Sequence, residues 1–570
     1  MLTDLNGKLP RNYFYLGQEH DFTAEAGIIY PTYQALLFPG DLIEVENACL
    51  IRQMPTIAPS LSKFEVKFWD VVVAIRNMYP EITNFLSGHE EYTSEVAWTE
   101  PLPRWIPTDV NKTRPGTLWD FLENPTSIIP DEDSAQIDFY RQAYGYIYDI
   151  LFRNETRQQS ILIKGKPGSW KGEDLLRINW DKDYLTTSLP KQQLGDPLAI
   201  SISGIGSAYW NPENFDIGSL NLTFNETGQA TNIRTVKLKT DEEGGIAGGQ
   251  DSALDAEAIA PVLNVLNKNT IDFKNAGAIY LSTFREAIAH QSISEINAMS
   301  GIRPNEFYKA HWGEAPTNEA LQYPEVFGRE ELPIITSEVL QTSESTKGNP
   351  LGNMAGHGMG TGRGRKKRFY SKEFSVYLKL MYIKCNTIYG GQQAKREYTQ
   401  KSMYDFPFPE LNHISMQPIY GRELLTASSK IIYSTDNGKT LKAGVDDPSA
   451  IKYNSSIKGY DTNFAWFKEK LPRVSGLLKQ EQYKKANSLD AEIGYNDNLY
   501  HWTEARFFKD KDGERPAIND DFLKFKLDNR NYQIVDDGIE RSQFIIRHIN
   551  KVDAWRTMSK KGLPSTLGLF

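Results

Sequence analysis

The stretch Phe374-Ser375-Val376-Tyr377-Leu378-Lys379-Leu380-Met381-Tyr382-Ile383 decides the fold. Phe374, Val376, Leu378, Leu380 and Tyr382 share one parity; Ser375, Tyr377 and Lys379 share the other. A period of two is the mark of a β-strand, and here it predicts one dry face and one polar face. Upstream stands Gly356 to Arg368, glycine-rich and strongly basic, which reads as a loop. Downstream, Gly390-Gly391-Gln392-Gln393 breaks the pattern, and Tyr404-Asp405-Phe406-Pro407-Phe408-Pro409-Glu410-Leu411 follows. Two prolines between aromatic residues cannot sit in a central ladder, so this is an ordered, extended connection. A long strand between two elaborate segments predicts a β scaffold that carries large excursions.

Outward from that strand, other segments repeat the signal. Pro39-Gly40-Asp41 is a turn, and alternation after it predicts a strand from Leu42 to about Arg52. Phe64 to Phe68 alternates, then runs apolar through Trp69 and Val71-Val72-Val73, as a strand buried on both faces does. Further strands are expected at Lys430 to Tyr433 and Gln543 to Ile549, with Leu523 to Val535 as another possibility. Asp183 to Leu189 reads as a short strand stopped by Pro190. Ile161-Leu162-Ile163 before Lys164-Gly165-Lys166-Pro167-Gly168 reads as a strand and a turn. It is no phosphate loop, because Trp170 stands where the second glycine belongs and no Gly-Lys-Ser/Thr follows. Helical spacing predicts an amphipathic helix within Ile137 to Gln158, behind Asp131-Glu132-Asp133. A second helix is expected at Leu281 to Met299, ended by Gly301 and Pro304. Residues 1–20 are polar and read as an N-terminal arm. Residues 196–279 lack any period, contain the glycine pairs Gly244-Gly245 and Gly248-Gly249, and read as an insertion on the scaffold.

Totals bound the function. The chain has 570 residues, of which 40% are apolar and 12% aromatic, enough for a large core. Tyr (29), Phe (27), Gly (42) and Pro (29) favour β structure with long ordered loops. Net charge is -9, so any contact with nucleic acid must come from a local patch. Cys49 and Cys385 both lie among strand-like apolar residues and read as buried thiols, although a bridge between them stays open. No apolar leader or membrane span is evident, which predicts a reducing, aqueous compartment. The eight histidines show no metal-ligand spacing, and no Gly-x-Ser-x-Gly elbow is present.

The sharpest local signal is Gly356-His357-Gly358-Met359-Gly360-Thr361-Gly362-Arg363-Gly364-Arg365-Lys366-Lys367-Arg368. Arg363, Arg365, Lys366, Lys367 and Arg368 would repel one another without a polyanion nearby. They read either as phosphate-backbone contacts or as a solvated or subunit-bridging run.

Several segments then resemble one family in its own order. Pro39-Gly40-Asp41, Ile137-Asp138-Phe139-Tyr140-Arg141-Gln142-Ala143-Tyr144 and Asp183-Tyr184 through Leu189-Pro190 are three of them. Ile302-Arg303-Pro304 to Trp312-Gly313, Pro350-Leu351-Gly352-Asn353-Met354-Ala355-Gly356, Tyr389-Gly390-Gly391-Gln392 and Tyr404 to Pro409 continue the series. Together they resemble the major capsid proteins of the Microviridae, in the gokushovirus-like and Bacteroidetes-associated branches. The chain departs after Pro190, where Lys191-Gln192-Gln193 replaces the family's tryptophan-containing element.

The resemblance implies a single mainly-β domain over residues 1–570, an eight-stranded viral jelly roll with long inter-strand insertions and a few helices. It implies a T=1 icosahedral shell of about 60 copies around circular single-stranded DNA. No catalysis, cofactor or metal is implied. Implied partners are further copies, the packaged DNA, a small basic DNA-binding protein, a DNA pilot protein and a host surface receptor. Implied locations are the virion and, during assembly, the bacterial cytoplasm. Residues 196–279 would form a surface protrusion, and the five cations would touch packaged DNA inside the shell. A second reading is a soluble β-rich carbohydrate-active enzyme that stacks sugars on Trp98, Trp105 and Trp119.

Overall fold

In the computed structural model, Ser375–Cys385 is a strand, but both of its faces are buried. The structure describes residues 11–87, 102–193, 239–240, 246–247, 281–300, 303–314, 317, 322–340, 354–390, 393–412, 416–435, 440–476, 478, 502–527, 531–532, 542–558 and 560. The chain divides into two compact units, Met1–Leu194 with Glu295–Phe570, and Gly195–Ser294. In the second, the described parts are a short hairpin, Lys239–Thr240 with Ile246–Ala247, and most of a helix. The expected insertion at 196–279 therefore lies almost wholly outside the described residues.

The first unit is built on ten antiparallel strands. They are β1 (Asn12–Tyr15), β2 (Gln18–Ala24), β3 (Tyr30–Leu37), β4 (Leu42–Thr56) and β5 (Phe64–Ala74). There follow β6 (Glu325–Leu340), β7 (Met354–Arg363), β8 (Lys367–Tyr370), β9 (Ser375–Cys385) and β10 (Phe544–Arg556). β1 and β2 lie end to end along β10, and β7 and β8 end to end along β4. β10 pairs with β4, completing one sheet. β5, β9 and β3 form the other. β6 belongs to both: residues 325–334 pair with β5 and residues 335–340 with β7. The change of partner falls between Ile334 and Ile335, and a bulge between Val326 and Gly328 interrupts the earlier pairing with β5. The two sheets face one another, with ring centroids of Phe64 and Phe544 5.7 Å apart and Phe68 and His548 4.8 Å apart. Two facing antiparallel sheets joined by a corner strand are the jelly-roll arrangement the resemblance implies, here with ten strands where eight were expected.

One helix covers the outside of the second sheet. This helix, α1 (Phe139–Ile147), continues through a wider turn at Tyr148–Phe152. Phe152 meets Tyr382 edge-on at 5.7 Å and Trp69 at 5.1 Å. The dry face of β9 thus packs under α1, and its polar face looks into the core. α2 (Leu281–Met299) and α3 (Pro304–Trp312) follow, and Pro304 opens α3 at its first position.

Several expectations fail for local reasons. Residues 12–24 are strands along β10 and no free arm; residues 1–10 lie outside the described residues. Asp183 to Leu189 is no strand. The Asp183 carboxylate accepts from the backbone N–H groups of Leu185 (3.0 Å) and Thr186 (2.9 Å), which closes a turn. Residues 161–172 hold no strand, since Lys164 takes a left-handed φ of 52° within a short turn. Leu523 to Val535 holds no strand among the described residues: it starts on the last residue of a helical turn, Asp520–Leu523, and makes isolated bridges at Lys524 and Tyr532. Cys49 and Cys385 are buried and free, as read. Burial pushes the Cys49 thiol up to about 12 and that of Cys385 well above its ordinary value.

The second face of β9 corrects the sequence reading most sharply. Lys379 is 1% exposed and lies opposite Asp70 of β5, 3.4 Å from its carboxylate. The Tyr377 hydroxyl donates to the same carboxylate at 2.8 Å. His548 of β10 is 0% exposed. Burial, with the Lys379 charge and His20 adding to it, holds its imidazole well below the usual pKa despite Asp70. Folded His548 is therefore neutral, whereas in the unfolded chain it takes up a proton below about pH 6.5. The unfolded state then binds more protons, so stability declines as pH falls from 6.5. Each pH unit removes at most about 1.4 kcal/mol. Replacing His548→Gln should flatten the difference between denaturant midpoints at pH 7 and pH 5, whatever it does to stability at pH 7.

Candidate nucleic-acid interface

The glycine-rich basic stretch is ordered strand, in contrast to the expected loop. Residues 354–363 form β7 between β6 and β4, and only residues 364–366 connect it to β8. The alternating glycines have a packing cause. A Cβ on Gly358 would lie 2.2 Å from the Gln53 amide oxygen, and one on Gly362 would lie 2.3 Å from a Leu332 methyl. Neighbouring side chains already fill that face, so backbone must approach without a side chain of its own.

Strand parity then sorts the cations. Glycines 356, 358, 360 and 362 occupy the crowded face, and Arg363 points away, 66% of its side chain exposed. On β8, Lys367 turns inward with 14% exposure and Arg368 outward with 74%. Lys366 is 60% exposed, and Arg365 is exposed.

Each set meets different carboxylates. Outside, Arg363 pairs with Glu46 of β4 and Arg368 with Glu44, and the Lys366 amine lies 3.7 Å from Glu44. The Arg363 hydrogen bond holds Glu46 below the usual carboxylate range. Arg365 has no ion-pair partner among the described residues. Inside, Lys367 reaches Asp70 at 2.7 Å and Glu330 at 2.8 Å. Burial pushes Asp70 up, but Lys379, Lys367 and the Tyr377 hydroxyl outweigh it and hold the carboxylate ionised, below its ordinary pKa. Lys367 is thus a core counter-ion and not available to phosphate. Four cations remain exposed on β7, β8 and the link between them, tempered by two carboxylates.

The sequence reading missed Glu44 and Glu46, which it treated only as the polar parity of a strand. The Trp105 and Trp119 rings, proposed as sugar platforms, are 3% and 0% exposed and pack edge to face at 4.8 Å. Trp98 lies outside the described residues. Among the described residues no cluster of metal-ligating side chains occurs, and no helix is long and apolar enough to cross a membrane.

Residues 5–504 match the family model described as capsid protein (F protein). The chain belongs to this capsid protein family. It is 24% identical to capsid protein VP1 of Spiroplasma virus 4 over 84% of the chain and 89% of that protein. It is 24% identical to capsid protein VP1 of Bdellovibrio phage phiMH2K over 95% of the chain and 92% of that protein. With capsid protein VP1 of Chlamydia phage 1 the identity is 21%, over 82% and 84%. The expectation of a major capsid protein of a small single-stranded DNA phage therefore holds, and with it self-assembly and a place in the virion. The enzyme reading falls, because the family and these relatives are structural capsid proteins.

For the capsid subunit the two sets of cations predict opposite phenotypes. Lys367→Met leaves Asp70 and Glu330 short of a charge in the core and should lower stability by about 3 kcal/mol. Arg365→Gln, on an exposed link, should leave the denaturant midpoint unchanged.

Proposed function

We propose that this capsid protein closes into a T=1 shell and holds single-stranded DNA on its inner surface through Arg363, Arg365, Lys366 and Arg368. The observation that carries the DNA contact is their joint exposure on β7, β8 and the link between them, with Arg363 and Arg368 meeting same-face carboxylates of β4 and Arg365 without an ion-pair partner among the described residues. Phosphates are contacted without base reading, so many sequences can be packed. Lys367, the fifth cation of the run, serves the fold.

Glu44 and Glu46 set the strength of this contact. Each already occupies a cation that a phosphate would otherwise take, so DNA must displace them. A shell that grips weakly at each site can adjust a flexible strand while it fills. The small basic DNA-binding protein and the pilot protein of such phages would share the rest of the task, and assembly would take place in the host cytoplasm.

Oligonucleotide binding to the purified subunit, measured across a salt series, tests this reading. Replacing Arg363, Arg365, Lys366 and Arg368 together by Gln should reduce the log–log salt slope by about 3, at roughly 0.7 per phosphate on single strands. Glu44→Gln with Glu46→Gln should tighten binding and steepen the slope. An unchanged slope in the four-cation variant refutes the interface.

We also assign the Gly195–Ser294 unit to the outer surface, as a protrusion. Its compactness apart from the sheet-bearing unit supports this, as does its position after Pro190. Limited proteolysis of intact particles should cut first within residues 196–279. Cleavage there only after the shell is disrupted would place the unit inside.

A further inference from the structure

Between β9 and the next strand, Met416–Tyr420, the chain builds a projection from residues 393–412. Three short turns make it: Arg396–Tyr398, Met403–Asp405 and Pro409–Leu411. Its backbone is held firmly. Asp405 accepts from the N–H groups of Lys401 and Ser402, both at 2.9 Å. Phe408 N–H donates to Phe406 at 2.9 Å, and Leu411 N–H to Phe408 at 3.0 Å. Pro407 and Pro409 fix their own φ angles. At one end the Arg396 guanidinium donates to the Pro418 carbonyl at 2.6 Å and stacks 4.0 Å over the Trp466 ring. At the other, the Asn463 side chain donates to the Leu411 carbonyl at 2.7 Å.

This rigid frame turns its apolar side chains outward. Tyr398 is 71% exposed, Tyr404 66%, Met403 61%, Phe406 52% and Phe408 41%. Five large apolar side chains exposed within eleven residues are not scattered surface. The backbone is ordered by its own hydrogen bonds, so the projection does not depend on burying these rings within its own subunit.

We propose that this projection is a contact through which one copy of the chain grips the next in the shell. The inference rests on the capsid reading and adds to it a named surface. Charge decides the kind of partner. Residues 395–410 carry Lys395, Arg396 and Lys401 against Glu397, Asp405 and Glu410, so the surface has no net charge. Such a surface gives no hold on a phosphate backbone, in contrast to the exposed cations of β7 and β8. Tyr, Phe and Met without excess charge are what the centre of a protein–protein interface contains. The partner that this capsid chain must meet many times is another copy of itself. Ordered backbone and pre-set rings lower the entropy lost on binding.

Two measurements on the full chain test this. In the first, Tyr404→Ser, Phe406→Ser and Phe408→Ser are combined. The subunit should melt within about 2 °C of the parent, since exposed positions are changed, yet form no closed particles by sedimentation. Particles formed as by the parent would overturn the proposal. The second does not depend on that variant folding. Met403→Cys adds one exposed thiol, while Cys49 and Cys385 are buried. A maleimide probe should label it in free subunits and at least tenfold more slowly in particles. Equal labelling in both overturns the proposal, whatever the first variant does. Should the parent chain itself form no particles, the capsid reading fails and not this contact alone.

Discussion

The ion pair of Asp70 and Lys379 is the constraint around which the sheets are arranged. A carboxylate and an ammonium, each 1% exposed, face one another across neighbouring strands, 3.4 Å apart. Alone, each would be strongly disfavoured in an apolar core. Together with Lys367, Glu330 and the Tyr377 hydroxyl they offset one another's charge, and they do so with side chains from β5, β6, β8 and β9. A one-residue slip in any of these strands would turn its member outward and strand the others. The cluster therefore fixes register, a task that apolar contacts alone perform loosely. It also explains why the basic run splits, because Lys367 belongs to the core's charge balance before any question of DNA arises.

A good part of this fold is legible in the sequence. β4, β5, β9 and β10 announce themselves by alternation, and α2 by spacing. β7 does not, because a strand whose inward positions 356, 358, 360 and 362 are glycine carries no apolar signal. Its glycines answer to Gln53 and Leu332, which stand far away in the chain. Asp183-Tyr184-Leu185 reads as strand from its apolar residues, and only the hydrogen bonds of the Asp183 carboxylate reveal a turn. The polar parity of β9 reads as solvent-facing, since no local pattern shows that a carboxylate waits opposite Lys379.

The candidate site was legible as a charge run and illegible as geometry. Five consecutive-looking cations are one thing in sequence and two in structure, divided by strand parity into an inner lysine and an outer group. Their partners, Glu44, Glu46, Asp70 and Glu330, all lie on other strands. Charge counting cannot show that two carboxylates already temper the outer group. At 21–24% identity to VP1 proteins, family membership gives the architecture but not these pairings.

The position of β10 has a consequence for how the subunit comes into being. This strand lies between β4 and the paired β1 and β2, so Arg547 bridges to Asp21, 526 residues apart. At roughly 5–20 residues per second a ribosome needs on the order of half a minute or more to span that interval. Throughout it, β4 and β2 wait with unpaired edges, the kind that invite wrong pairing. Closing so distant a contact is also slow in itself, because the loop entropy falls due before the pairing is gained. A nascent subunit thus lacks a finished sheet until β10 arrives.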